Sequence, residues 1–165
     1  METIKLYKTE DGILYYWQIW SKSPKTILID RGIAGERSSR DTIRAKNKTE
    51  FEALVQGQIS KKREEGFSEA TKEYLLEIEY KAEPMTANKL TKLHRLGDHL
   101  DYFLFYTGLG AFDGNGFGFG KMDVSVIVVD FEIAKRVIAA DLEDTVFGNY
   151  LTIKKVDLDE DNEAE

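Results

Sequence analysis

Glycine is concentrated in one short stretch of this chain. Residues 107–120 contain six of the thirteen glycines and run almost directly into 122–129, the strongest strand signal in the sequence. Glycine loses more backbone entropy on folding than any other residue, so a cluster this dense needs a reason. Either the chain turns with positive φ, or something approaches the backbone closely. We predict a structural hairpin, and the alternative is a surface for a partner or ligand.

A phosphate-binding loop is a third interpretation of the glycines. A dinucleotide fingerprint follows a strand and opens a helix whose N-terminus holds the phosphate. This stretch lies between two predicted strands, and no Gly-Lys-Ser/Thr follows it. We therefore predict no nucleotide and no other cofactor.

The side chains between the glycines are the candidate contact residues. A partner or ligand would meet Asp113, Asn115, Phe117 and Phe119. Asp before Gly commonly caps a turn, whereas a small enzyme would use the Asp113 carboxylate as a general base. We predict the turn.

Counting residues along a regular hairpin predicts which way these side chains point. The even-numbered glycines, 114 to 120, share the parity of Met122 and Val124, which we expect to face the helices. Phe117 and Phe119 would then face the other way. We expect Gly118→Val to destabilise such a hairpin through overpacking.

Charge is distributed unevenly along the chain. The net charge is −7, made of +2 in residues 1–73 and −9 in residues 74–165. This asymmetry predicts two units with different surfaces, of which the acidic one is a poor match for nucleic acid. Cysteine is absent, so disulfides and thiolate chemistry are excluded. No run approaches the roughly 18 apolar residues of a membrane span, and we expect a cytoplasmic protein with no membrane partner.

The first half reads as a meander of strands followed by one helix. Strands are predicted at 4–8, 14–20 and 26–29 and within 37–48. Thr49 and Glu52 have the spacing of a capping box, and Gly66 is placed to end the helix. Trp17 and Trp20 fall on opposite faces of one strand, so at most one of them belongs to the core.

This half resembles a WGR-type domain over residues 3–68. The motif of that domain, Trp-Gly-Arg followed by Ile-Gly, aligns with Arg31-Gly32-Ile33-Ala34-Gly35. The tryptophan and arginine engage DNA in the WGR modules of poly(ADP-ribose) polymerases, and here Arg31 and Ile33 replace them. The resemblance implies a fold, and it makes weak nucleic-acid binding an alternative function. The candidate cations are Arg31, Arg37, Arg40 and Arg44, which otherwise form a solvated strand edge.

The second half is predicted to run β-α-β-β-α-β, the ferredoxin-like order. A helix begins near Thr86 and is expected to end near Gly97, with a strand within 102–112. Asp130 is placed to cap a second helix. The glycine pattern and Val129-Asp130-Phe131 resemble a group of bacterial proteins that join a WGR-like domain to this one. The predicted class is α+β, with domains at 1–68 and 74–157 and a disordered acidic tail at 158–165.

Neither histidine predicts a metal centre. His94 and His99 are five residues apart, so they do not share one helix face as a metal-binding pair would. His94 and Asp98 are instead expected to form a surface pair. The predicted function is a non-enzymatic, two-domain protein that binds a protein partner. The alternatives are the nucleic-acid module, an acidic inhibitor or immunity-type protein for a basic partner, and the Asp113 enzyme.

Overall fold

The described residues form two four-stranded antiparallel sheets and three helices, which confirms the α+β class. The structure is a computed structural model that describes residues 1–81, 84, 86–118 and 120–156. The predicted tail at 158–165 lies outside the described residues. In chain order the elements are β1 Ile4–Glu10, β2 Ile13–Ser23, β3 Thr26–Ile33, β4 Ser39–Arg44, α1 Lys48–Glu64, β5 Tyr74–Lys81, α2 Ala87–Tyr106, β6 Gly110–Gly118, β7 Lys121–Val128, α3 Phe131–Leu142 and β8 Thr152–Val156.

The chain divides into two compact units. The first comprises Met1–Thr71 and the three residues Tyr106–Gly108, and the second comprises Lys72–Phe105 and Leu109–Glu165. The separate folding of domains 1–68 and 74–157 remains a prediction. No helix among the described residues is long and apolar enough to cross a membrane.

The first unit is a meander whose strands lie in sequence order, β1-β2-β3-β4. One face of the sheet carries a continuous apolar core against α1, because alternate residues of each strand point to the same side. Its buried members are Leu6, Trp17, Ile19, Ile27, Ile29, Val55 and Ile59. Trp17 is 1% exposed within this core and Trp20 lies on the other face, which confirms that only one tryptophan belongs to it.

The capping residues predicted for α1 were wrong by two positions. Asn47, not Thr49, is the N-cap, and its side chain accepts a hydrogen bond from the Glu50 amide. Glu50 in turn accepts from the Lys46 amide at 2.6 Å. The sequence has the capping-box spacing at both sites. The structure uses the earlier one, with Glu50 bonded to the amide of the residue before the N-cap. Gly66 follows the helix with φ +92°, as its predicted role as a stop signal requires.

The other face of the first sheet holds a buried carboxylate. Asp30 is fully buried and accepts hydrogen bonds from Trp20 Nε1 at 2.8 Å and Gln18 Nε2 at 3.3 Å. Arg40 donates to both of its oxygens, from Nε at 2.6 Å and from Nη2 at 3.0 Å. These bonds supply the partners that a charge removed from water requires.

The segment Tyr106–Gly108 is hydrogen-bonded inside the first unit. The Gly35 amide donates to the Thr107 carbonyl at 2.9 Å, and the Ser38 amide donates to the Tyr106 carbonyl at 3.1 Å. The Tyr16 hydroxyl also donates to the Tyr106 carbonyl. Burial raises the pKa of Tyr16 to about 12, so this donor stays protonated.

The second unit follows the order β5-α2-β6-β7-α3-β8, and its sheet has the strand order β6-β7-β5-β8. One face of the sheet is apolar and buried, as are facing stripes of α2 and α3. The buried strand residues are Leu76, Ile78, Tyr80, Val124, Val126, Val128 and Ile153. Asp130 caps α3 by accepting from the Ile133 amide at 2.9 Å, which confirms its predicted role.

The predictions for α2 and the following strand were wrong. The helix continues past Gly97 to Tyr106, and the strand begins only at Gly110. Gly97 is buried, and a Cβ placed there would lie 2.9 Å from Cζ of Phe112. This glycine therefore allows the Phe112 ring to approach the helix backbone, and it does not end the helix.

Candidate functional site

The glycine stretch forms the hairpin β6–β7, with an extra residue in its first strand. Phe112 pairs with Val126 and Gly114 pairs with Ser125, so Asp113 is left over as a β-bulge. At the tip Gly118 pairs with Lys121, which leaves two residues to connect the strands. The second of them, Gly120, has φ +77°. Among the described residues from 110 to 120, Gly120 alone has the positive φ that favours glycine.

The bulge reverses the predicted orientation of the hairpin side chains. Asn115 pairs with Val124 and Phe117 pairs with Met122, so both lie on the side of the sheet that faces the helices. Gly114, Gly116 and Gly118 lie on the opposite side, where we expected Phe117. The simple count from Met122 failed because it assumed an uninterrupted strand. Phe119 lies outside the described residues.

Overpacking at Gly118 is also no longer expected. A Cβ at Gly118 or Gly114 would have nothing within 4 Å, whereas one at Gly116 would meet the Asp123 carboxylate. Neither packing nor a positive φ within the described residues accounts for glycine at 114 or 118. Strand β6 is also an edge of its sheet, so one side of its backbone is not paired with another strand in the described part of the chain.

The side of the sheet that carries these glycines is charged. Lys154 contacts Glu77 at 3.0 Å and Glu79 at 2.9 Å, and Lys121 contacts Glu79 at 3.2 Å. Hydrogen bonds from Lys154 and Lys121 lower the pKa of Glu79. Asp123 behaves oppositely, because partial burial and then the nearby Glu77 raise its pKa.

A cavity of about 270 Å³ lies within the second unit, on the helix side of the sheet. Its walls come from four places: the end of β5, the first turns of α2, the start of β7 and the segment before β8. The lining residues are Tyr80, Lys81, Lys89, Lys92, Leu93, Leu96, Met122, Phe147, Asn149 and Leu151. Met122 is the strand partner of Phe117, so the exposed end of the hairpin adjoins the cavity.

Hydrogen bonds fix the wall of this cavity. The Tyr80 hydroxyl donates to the Phe147 carbonyl at 2.8 Å, and burial raises the pKa of that hydroxyl. Lys92 Nζ lies 3.5 Å from Asn149 Oδ1 and 5.9 Å from the centre of the Phe147 ring. No local spacing in the sequence links Lys92 to Asn149, so sequence patterns did not predict the cavity.

Histidine pairing also differs from the expected pair. His99, not His94, contacts a carboxylate: its Nε2 lies 2.5 Å from Asp141 Oδ2 on α3. The ring also stacks near Phe103 and Phe147, each with a centroid distance of 6.4 Å. Within the described ranges, no group of three or more His, Asp or Glu side chains is placed to hold a metal ion.

The four candidate arginines are in different environments. Arg40 is bound to Asp30, whose hydrogen bonds raise the pKa of the guanidinium, and it lies over the rings of Trp20 and Tyr106. Arg31 pairs with Asp41 at 2.8 Å. Arg37 and Arg44 are exposed. Two of the four cations are therefore already paired with carboxylates.

We expect nucleic-acid affinity to be weak, nonspecific and steeply reduced by salt. The charge pairs leave few cations to replace the counterions of phosphate. Fluorescence anisotropy with labelled nicked and intact DNA, measured from 50 to 200 mM salt, checks this. Tight binding to nicked DNA at 150 mM salt that is lost in Arg31→Ala would contradict the prediction.

Comparisons with models of known protein families, with curated proteins and with solved structures gave no match.

Proposed function

We propose that this chain is a non-enzymatic binding protein for a protein partner, built from a WGR-like first unit and a ferredoxin-like second unit. The resemblance of residues 3–68 supports the first assignment. The β-α-β-β-α-β order with strands arranged β6-β7-β5-β8 supports the second. A localisation in the cytoplasm remains part of this proposal.

The observation that carries the proposal is the composition of the edge strand β6. Glycine at 114 and 118 costs about 0.5–1 kcal/mol each relative to alanine in a strand. Nothing within 4 Å of a Cβ at either position repays that cost through packing. A partner backbone that approaches the edge closely would explain both glycines, as in strand addition to a sheet.

Phe117 supplies an apolar contact beside this edge. Its side chain is 53% exposed, although an aromatic ring is among the residues that contribute most at protein interfaces. Asn115, two residues away on the same side, adds an amide for hydrogen bonding. Asp113 is exposed in the bulge and does not line the cavity, so an enzymatic role gains no support.

Capture from a lysate of the source cells tests the proposal with matched variants. We expect Gly118→Val and Phe117→Ser to lose a specifically captured protein while their melting temperatures stay close to that of the wild type. Tyr102→Ser is the control, because Tyr102 is a 63% exposed aromatic residue on α2. Loss of the partner in all three variants, or retention in both hairpin variants, would contradict the role of β6.

A further inference from the structure

Positive charge is concentrated at the cavity in the second unit. Residues 74–165 contain nine lysines and arginines against eighteen acidic residues. Three of those nine cations line the cavity, and no acidic residue does so among the described residues that form its wall. The described wall of the cavity thus presents ammonium groups and no carboxylate, and this favours an anionic ligand.

The remaining wall is mainly apolar and includes two aromatic rings, those of Tyr80 and Phe147. Leu93 and Leu96 are buried beneath the lysines, and Phe147 and Met122 complete the sides. Such a wall contributes affinity by removing apolar ligand surface from water. A ligand that matches both the lysines and the apolar wall has an anionic group and an apolar body.

The volume of the cavity restricts the apolar body of the ligand to a small group. At about 270 Å³ the cavity falls just below the usual range of about 300–1,000 Å³ for sites that enclose drug-sized ligands. One ring with a short chain suits this space better than a nucleotide or a long acyl chain.

We propose that this cavity binds a small organic carboxylate with a single-ring apolar body, with the carboxylate near Lys92 and the ring against Phe147 and Leu93. Lys92 is the central cation of the site, since its Nζ already lies between the Asn149 amide and the Phe147 ring. Asn149 Oδ1 lies 3.5 Å from this ammonium group, and the amide nitrogen of Asn149 is a further donor for the carboxylate. This site does not rest on the binding of a protein partner at β6.

Titration with 3-phenylpropionate tests the proposal on the full chain labelled with [methyl-¹³C]methionine. The Met122 signal, assigned by its loss in Met122→Leu, should shift in a saturable manner, whereas the Met1 signal should not. The neutral 3-phenylpropanamide and the ring-free propionate should each bind more weakly. Together these probes separate the contribution of charge from that of the apolar wall.

Two variants of Lys92 test whether the carboxylate of the ligand binds at this residue. Lys92→Gln should weaken binding of 3-phenylpropionate by about tenfold, the effect of losing one charge-assisted hydrogen bond. Lys92→Arg should largely restore it. Lys135→Gln, the matched control, removes a lysine that lies over the Phe131 ring on α3 and should leave the affinity unchanged. Equal affinity for the acid and the amide, an unchanged affinity in Lys92→Gln, or no saturable Met122 shift would overturn the proposal.

Discussion

Replacing Asp30 by alanine is expected to unfold the first unit at much lower denaturant concentration. The carboxylate is fully buried and holds the side chains of Gln18, Trp20 and Arg40 through four hydrogen bonds. Removing one partner of a buried charge pair typically costs about 3–5 kcal/mol, because the other is left without compensation. Arg40 is 37% exposed, and water can solvate it in part, so we expect the lower end of that range.

Tryptophan fluorescence during urea unfolding measures this effect in the first unit. Both tryptophans of the chain, Trp17 and Trp20, lie in that unit. Asp41→Ala is the matched control, because Asp41 forms an exposed ion pair with Arg31 and its loss should cost at most about 1 kcal/mol. Equal destabilisation by the two variants would show that the buried network contributes no more than a surface pair.

Gly110→Ala is expected to destabilise the second unit by about 3 kcal/mol, at the upper end of ordinary overpacking effects. A Cβ at this position would overlap the Ile127 carbonyl oxygen and lie 2.9 Å from its carbon. Backbone atoms of a paired strand cannot rotate away as a flexible side chain can. We therefore expect the β6–β7 pairing to be disturbed where Gly110 meets Val128.

Hydrogen exchange of the β7 amides measures the expected loss of β6–β7 pairing in Gly110→Ala. Gly114→Ala is the control on the same strand, since a Cβ there has nothing within 4 Å. Its expected effect is a small stabilisation of about 0.5–1 kcal/mol, with the entropy of the unfolded chain as the main contribution. Similar protection of β7 in both variants would contradict the proposed clash at Gly110.

Sequence patterns predicted the elements that local rules define. The strands around Trp17, the stop at Gly66 and the cap at Asp130 depend on residues within a few positions of each other. The prediction that α2 ends near Gly97 was wrong, because glycine at this position is required by a contact with a residue distant in the sequence. Its partner, Phe112, is fifteen residues away and contacts it only in the folded second unit.

The candidate site was predictable only in part, because it too depends on contacts between residues that are distant in the sequence. The hairpin was visible as a glycine cluster before a strand, but its side-chain orientation depended on a bulge that has no unique sequence signal. Two of the cavity lysines, Lys89 and Lys92, lie on α2 near a segment more than fifty residues later in the chain. Only tertiary packing brings Lys92 to Asn149 and His99 to Asp141.

Because Asp113 is an extra, unpaired residue, the chain could be one residue shorter here without a change in the hairpin pairing. Phe112 would still pair with Val126, and Gly114 with Ser125, if residue 113 were deleted and the strand became regular. After a deletion at any neighbouring position of β6, either the bulge would have to disappear or the following side chains would move to the other face of the sheet. Residue 113 is therefore the position of β6 at which this chain can lose one residue and still present the same surfaces.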